Sequence, residues 1–305
     1  MSKDIKKGKI IVILGPTSSG KTRLGVGLAL QFNGEIISAD SRQVYKYMDI
    51  GTGKDLDEYK NIPYHLLDVV HPNTKFHLAK YQALAFKAID DVLKRGRTPI
   101  IVGGSGLYLQ AVVDNYNLSR IKPDTKLRNK LENKTAEKLF IELKKINLKF
   151  ANKLNNSDKN NKRRLIRYIE IGQNEMYRDI SVHRNYEFLL LGLAWPQEVL
   201  RERIYKRLIE RLEKEGMIKE IKNLHEKKGV AWKRLESFGL EYKFVSGYLQ
   251  GKFKYDEMVE KLNIAIRQFS KKQMSWFRRW EKQRRKIFWI KDKKEAENLI
   301  KKFLK

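Results

Sequence analysis

Eight consecutive residues, Gly15, Pro16, Thr17, Ser18, Ser19, Gly20, Lys21 and Thr22, spell G-x-x-x-x-G-K-[ST]. That spacing builds a phosphate cradle. The glycines permit tight turns, backbone N–H groups face phosphate oxygens, and the start of a helix adds a favourable potential. Lys21 is expected to reach the outer phosphate and Thr22 to hold a Mg²⁺. The motif follows an apolar run at 9–14 and opens a helical pattern at 21–31, which is the context it needs. It specifies a ligand class and not a reaction, since kinases, helicases and GTPases share it.

Two further clusters sit at the ends of apolar runs. Asp40, Ser41, Arg42 and Gln43 end the run at 35–39, and Gly103–Tyr108, with Ser105, ends the run at 98–102. In an open α/β sheet the carboxyl ends of the strands form the ligand crevice. Asp40 and Ser105 are therefore expected to converge on whatever the loop holds. A carboxylate there can act as a general base; capping a short helix that follows accounts for Asp40 equally well. Arg203 and Arg207, four apart, fall on one helix face and suit a diphosphate, or form an ordinary solvated charged face.

The elements that must position these residues follow from pattern. Strands at 9–14, 35–39 and 98–102 alternate with helices at 21–31, at 76–95 (with Thr74 as its N-cap) and from Leu107. That alternation predicts an α/β fold, a P-loop NTPase-like doubly wound parallel sheet. Residues 119–187 are polar, rich in Lys and Asn, and read as short helices. Residues 188–195 return to one more central strand, and 197–227 and 255–282 read as long charged helices. The expected organisation is a first part of the core at 1–118, a helical insertion at 119–187, and a second part of the core with basic C-terminal helices at 188–305.

Composition narrows the function classes. The 305 residues include no cysteine, which excludes disulfides and cysteine-ligated zinc. No apolar run approaches the roughly 18–20 residues of a membrane span, and the five-residue run IIVIL near the start is too short for a signal peptide. No membrane association and a cytoplasmic location are expected. The net charge is +29, from 65 Lys and Arg against 36 Asp and Glu. Residues 1–110 hold 16 of the basic and 10 of the acidic residues, so +23 falls after them. A lysine-rich genome gives such a bias, and so does a polyanionic partner whose counterions are released on binding. In 255–282, at about 100° per residue, Arg267, Lys271, Met274 and Arg278 lie within about 60° of one another. Leu262, Phe269, Trp276 and Trp280 are expected on the opposite, core-facing side. An ordinary amphipathic helix explains that apolar stripe and only part of the basic one. Arg163, Arg164 and Arg167 form a second basic cluster.

Read in order, GPTSSGKT, ISADSRQVYKYMDIGTGK at 37–54, HLLD at 65–68, VGGSGLY at 102–108, RRLIRYIE at 163–170, PQEVLRERIYKR at 196–207 and IRQFSKKQMSWFRRW at 266–280 cover nearly the whole chain. This ordered set resembles the bacterial tRNA dimethylallyltransferases of the IPP transferase family. The resemblance implies that the dimethylallyl group of dimethylallyl diphosphate moves to N6 of the adenosine immediately 3′ of the anticodon in tRNA, with diphosphate leaving. It implies Asp40 as general base and Ser105, at a family threonine, as a hydrogen-bond partner of the bridging or leaving oxygen. It also implies that Lys21 and Arg207 face the diphosphate. The implied tRNA contacts are Asp40, Ser41, Arg42, Gln43, Ser105, Arg128, Arg163, Arg164, Leu165, Ile166, Arg167, Arg267, Lys271, Lys272, Gln273 and Arg278. The implied partner is the anticodon stem-loop, and the chain is expected to be a monomer. Asn161 stands where an aspartate is usual and Lys272 where an arginine is. Glu236 and Leu240 alter the segment around Ser237-Phe238-Gly239. The alternatives are a relative that prenylates free adenine nucleotide, which needs no basic second half; a small-molecule P-loop kinase; and a non-catalytic RNA-binding module, which leaves the phosphate loop and Asp40 unexplained.

Overall fold

Unbroken apolar runs need cover on both faces, and they form the centre of a parallel sheet. A computed structural model describes residues 8–118, 121, 123–173, 184–283 and 285–305. In it β1 (Gly8–Leu14), β2 (Gly34–Ser38), β3 (Tyr64–His65), β4 (Thr98–Gly103), β5 (Tyr186–Leu193) and β6 (Phe288–Ile290) form one sheet in the order β3-β2-β4-β1-β5-β6. Every pairing is parallel, with Ile11 opposite Ile100 on one side and Leu189 on the other. Alternation sends β1 side chains to opposite layers. Ile10, Val12 and Leu14 join Tyr81, Phe277 and Trp280 on one face, whereas Ile11 and Ile13 join Val26, Leu28 and Ile300 on the other.

The covering helices are α1 (Lys21–Gln31), α2 (Leu78–Lys94) and α3 (Gly106–Val113). Helix α2 starts later than its periodicity predicts. The cap is His77, whose ring accepts from the Lys80 N–H at 3.3 Å, and Thr74 lies in the preceding turn.

Two compact units result, Met1–Asn115 with Arg184–Lys305, and Tyr116–His183. The second unit contains α4 (Thr125–Glu132), α5 (Ala136–Ile146), α6 (Leu148–Asn152), α7 (Asn156–Lys159) and α8 (Lys162–Gly172). Of the span expected for the insertion, 119, 120, 122 and 174–183 lie outside the described residues, as do residues 1–7 at the start of the chain. The five helices are short because the sequence caps them repeatedly. The side chains of Asp124, Thr135, Asn147, Asn155 and Asn161 each accept a backbone N–H from the first turn that follows. Asn161 keeps a capping oxygen where the family pattern has aspartate.

After β5 the expected long helix at 197–227 divides into α9 (Gln197–Glu210), a π-helical turn at Arg211–Glu215, and α10 (Met217–Glu226). Then come α11 (Trp232–Ser237), α12 (Leu240–Leu249), α13 (Tyr255–Lys282) and α14 (Lys293–Leu304). Helices α9 to α13 enclose an apolar cluster with Val44 and Met48. The buried seam of α13 is Met258, Leu262, Ile266, Ser270, Gln273, Phe277 and Trp280. Trp276, expected to face the core, packs against it while half-buried; Phe269, expected there too, is half-buried and lines a cleft. A helix of 28 residues drifts as it crosses two apolar clusters, so its contact line does not follow one fixed stripe. No helix among the described residues is long and apolar enough to cross a membrane.

Candidate active site

The phosphate loop joins the end of β1 to the start of α1. Gly20, at the helix N-cap with φ 88°, sits in the left-handed region that glycine enters without strain. The loop is held from both sides. On its outer side Trp195 Nε1 donates to Ser19 O at 3.0 Å and Arg203 Nε donates to Ser18 O at 2.8 Å, with the Arg203 guanidinium 4.8 Å from the Trp195 ring centre. Elsewhere the Thr17 N–H donates to Gln273 Oε1 at 2.8 Å, and Gln273 Nε2 donates to Gly104 O at 3.0 Å. One side chain of α13 thus ties the loop after β1 to the loop after β4. Ser19 Oγ is buried without a protein partner among the described residues.

Lys21 Nζ donates to Pro16 O at 2.6 Å. Burial, and then the positive charge of Arg207, push its pKa down to about 8; the Asp40 carboxylate pulls the other way. Lys21 is therefore a cation lacking a full countercharge, in a loop shaped for an anion.

Asp40 follows β2 at the lip of the same cleft. Its Oδ1 accepts from the Arg42 N–H at 2.8 Å, the hydrogen bond of an Asx turn. Residues 41–44 form a turn and not the short helix that the capping alternative requires. Oδ2 has no protein donor among the described residues. Ser105 Oγ accepts from the Ser41 N–H at 3.1 Å, and the Ser105 N–H donates to Ala39 O at 3.3 Å. The Asp40 and Ser105 loops are thereby joined, and the Ser105 hydroxyl keeps its own proton to donate.

These groups share one open cleft of about 1060 Å³, lined by residues 17–23, 40–43, 102–105, Arg203, Arg207, Phe269 and Gln273, among others. Thr22 lines it beside Lys21, and its hydroxyl has no protein partner among the described residues. No group of three or more His, Cys, Asp or Glu able to hold a metal exists among those residues. The donor set suits a Mg²⁺ that takes most of its oxygens from phosphate and water. It does not suit an all-protein cage.

Several expected contacts take other roles. Gln273 is buried, and both ends of its amide are engaged by backbone. Gln43 lines the cleft, but its amide also accepts from Ser38 Oγ at 2.8 Å and donates to Gly53 O at 2.9 Å, which holds the 48–54 segment. In the helical unit Leu165 and Ile166 belong to the apolar core. Arg128 grips the buried Glu170 through Nε at 3.0 Å and Nη2 at 2.7 Å, and Arg167 joins it. Burial pushes the Glu170 carboxyl up, but these arginines outweigh it and hold the group below its usual range. Arg164 pairs with Asp158 at 2.5 Å, and Arg163 is exposed. On α13, Lys271, Lys272 and Arg278 are exposed and Arg267 is half-buried.

Other residues of the site carried no local signal. Lys54 is fully buried, and its Nζ donates to Tyr45 O at 2.8 Å, Asp49 Oδ1 at 2.6 Å and Asp68 Oδ1 at 2.5 Å. It ties the MDIGTGK and HLLD motifs together. The Glu220 carboxylate accepts the N–H groups of Asp49, Ile50 and Gly51. Arg207 does not stand free. It shares Asp55 with Arg211, the next arginine four residues on. The spacing 203, 207, 211 was visible in the sequence, but the carboxylate that gathers two of the three lies 152 residues away.

Comparison with known proteins bears on this arrangement. Residues 43–280 match the family model described as IPP transferase. The chain is 46% identical over 288 residues to tRNA dimethylallyltransferase 1 of Syntrophus aciditrophicus (strain SB), covering 92% of this chain and 93% of that one. Among solved structures it is similar to the full-length tRNA isopentenylpyrophosphate transferase from Bacillus halodurans, with 34% identity, a TM-score of 0.71, and 98% and 97% of the two chains covered. A eukaryotic dimethylallyltransferase described as acting on tRNA matches with a TM-score of 0.74 and 29% identity over 88% of this chain and 69% of its own.

Proposed function

Because the chain belongs to the IPP transferase family, we propose that it transfers the dimethylallyl group of dimethylallyl diphosphate to N6 of the adenosine immediately 3′ of the anticodon in a tRNA. The observation that carries this reading is the meeting of the Asp40 carboxylate, the Ser105 hydroxyl and the phosphate loop in one cleft. The C1–O bond of the allylic diphosphate breaks and its electron pair leaves with diphosphate. The N6–C1 bond forms, and the N6 proton passes to Asp40. An exocyclic amine conjugated with a purine is a weak nucleophile, so removing its proton as it attacks is where a positioned base helps. Lys21, the loop N–H groups and Arg207 stabilise charge that grows on the leaving diphosphate. The Ser105 O–H donates to its bridging or terminal oxygen. Thr22 would hold a Mg²⁺, which would supply further charge neutralisation. The base must leave the anticodon-loop stack to reach the cleft, and the +23 carried after residue 110 suits the RNA that presents it.

The test is single-turnover transfer from labelled dimethylallyl diphosphate to unmodified tRNA or to AMP. Label is expected on tRNA, and label on AMP instead would replace the acceptor. Asp40→Asn keeps the acceptor for the Arg42 N–H but cannot take the proton. Its rate is expected to fall at least about a hundredfold, with thermal stability and tRNA affinity near wild type. A rate within a few-fold of wild type would remove Asp40 from the chemistry.

A further inference from the structure

Arg207 and Arg211 form an unusual pair. Each donates through Nη2 to a different oxygen of the same carboxylate, Arg207 to Asp55 Oδ2 and Arg211 to Asp55 Oδ1 at 3.0 Å. Both guanidiniums press on one backbone site. A Cβ added at Gly53, which takes φ 63°, would lie 2.2 Å from Arg211 Nη2 and 2.7 Å from Arg207 Nη2, so a side chain there would push both guanidiniums aside. Arg211 is 7% exposed at its side chain, and its Nε has no hydrogen-bond partner among the described residues; a Glu215 carboxylate oxygen is 3.9 Å away. Two cations this close repel, and the Asp55 carboxylate they share offsets that repulsion. Asp55 is 29% exposed and takes φ 47°, a left-handed conformation uncommon outside glycine. Arg211 opens the π-helical turn, an irregularity often found at functional sites. Glu58 and Glu241 also line this part of the cleft, but neither forms an ion pair within 4 Å with these arginines.

From this geometry we infer that Asp55 is a positioning residue for the leaving diphosphate, holding Arg207 with Arg211 as its buttress so that Arg207 offers its remaining N–H donors to the phosphate loop. This rests on the transfer reaction proposed above. Asp55 engages only Nη2 of Arg207, and the other donors of that guanidinium have no protein partner among the described residues, so the carboxylate need not be displaced when diphosphate arrives. The alternative is that Asp55 is a competitor, an internal anion that diphosphate must push aside. The two differ in sign. A competitor's removal tightens anion binding, whereas a positioner's removal weakens it.

The experiment measures Mg²⁺-pyrophosphate affinity by calorimetry, together with kcat and KM for dimethylallyl diphosphate and tRNA affinity. The variants are Asp55→Ala, Asp55→Asn, Arg207→Ala and the double variant Asp55→Ala/Arg207→Ala. Misplacing a catalytic group by about 1 Å costs up to about a hundredfold. Asp55→Ala is therefore expected to weaken pyrophosphate binding and lower kcat/KM by about ten- to a hundredfold. Asp55→Asn, which keeps one acceptor oxygen, should fall between it and wild type, and tRNA affinity should stay within about twofold. In the Arg207→Ala background, Asp55→Ala should add no more than about a further twofold, since a positioning residue acts through its partner. Additive losses would overturn the inference. So would tighter pyrophosphate binding in both Asp55→Ala and Asp55→Asn, which marks a competitor. Asp55→Asn nearly preserves shape, so it decides the matter even if Asp55→Ala fails to fold. Should wild type bind pyrophosphate but label no tRNA, the transfer reading fails while the pyrophosphate arm still decides the role of Asp55.

Discussion

Lys21 carries its charge against both burial and a neighbouring guanidinium, which is why its pKa falls from 10.5 to about 8. Two consequences have definite signs. An unfolded lysine keeps its proton up to about pH 10.5, so between pH 8 and 10.5 the unfolded chain binds a proton that the folded, unliganded chain has released. The Lys21 contribution to stability therefore rises with pH across that window. Diphosphate reverses the local charge and restores the proton. Binding above pH 8 is expected to take up a proton, and affinity to fall as pH climbs beyond 8. Calorimetric titration with pyrophosphate at several pH values, in buffers of different ionisation enthalpy, measures both; Lys21→Met should abolish the proton uptake. A wild-type affinity that is flat from pH 7 to 9.5 would mean that the lysine already has a countercharge.

At the scale of elements, the site depends on helix α13 as much as on the loops it touches. Gln273 engages the loops after β1 and β4 together. Gln273→Leu fills similar space but leaves the Thr17 N–H and the Gly104 carbonyl without those partners. Orphaned buried groups cost about 1–3 kcal/mol each. A loss of stability of this order is expected by denaturant titration, together with a higher KM for dimethylallyl diphosphate and tRNA affinity near wild type. Weakened tRNA affinity with an unchanged KM would return Gln273 to the role expected from its place in the IRQFSKKQMSWFRRW motif. The same helix shows where periodicity misleads. Leu262 and Trp280 are buried and Trp276 packs against the core as its pattern predicts, but Phe269 turns to the cleft.

For the molecule as a whole, the question is which of 65 basic side chains are free to meet phosphate. Arg128, Arg167, Arg207 and Arg211 answer internal carboxylates. Lys271 and Arg278 are exposed on α13 and take part in no ion pair among the described residues. Removing one cation that sits on a phosphate should lower the salt slope of binding by about 1. Lys271→Ala/Arg278→Ala should therefore weaken tRNA binding and reduce its log–log salt slope by about 2, while pyrophosphate affinity stays near wild type. Nitrocellulose filter binding from 50 to 200 mM salt checks this, and an unchanged slope would leave both residues as solvated surface charge.

What the sequence by itself determined was local. The phosphate loop, the strands before it and after α1, Asp40 and Ser105 all lie in short segments where motif and element are adjacent in the chain, and strand-end placement follows from the parallel sheet alone. The short outer strands β3 and β6, of two and three residues, left no readable period. Only the tertiary structure decided which side chains complete the site. Gln273 reaches Thr17 across 256 residues and Asp55 gathers Arg207 across 152. Hydrophobic period reports which face of an element is buried, but not which distant polar group waits there. An arginine on a basic stripe and an arginine holding a buried carboxylate look the same in sequence, and only the proximity of an anion separates them.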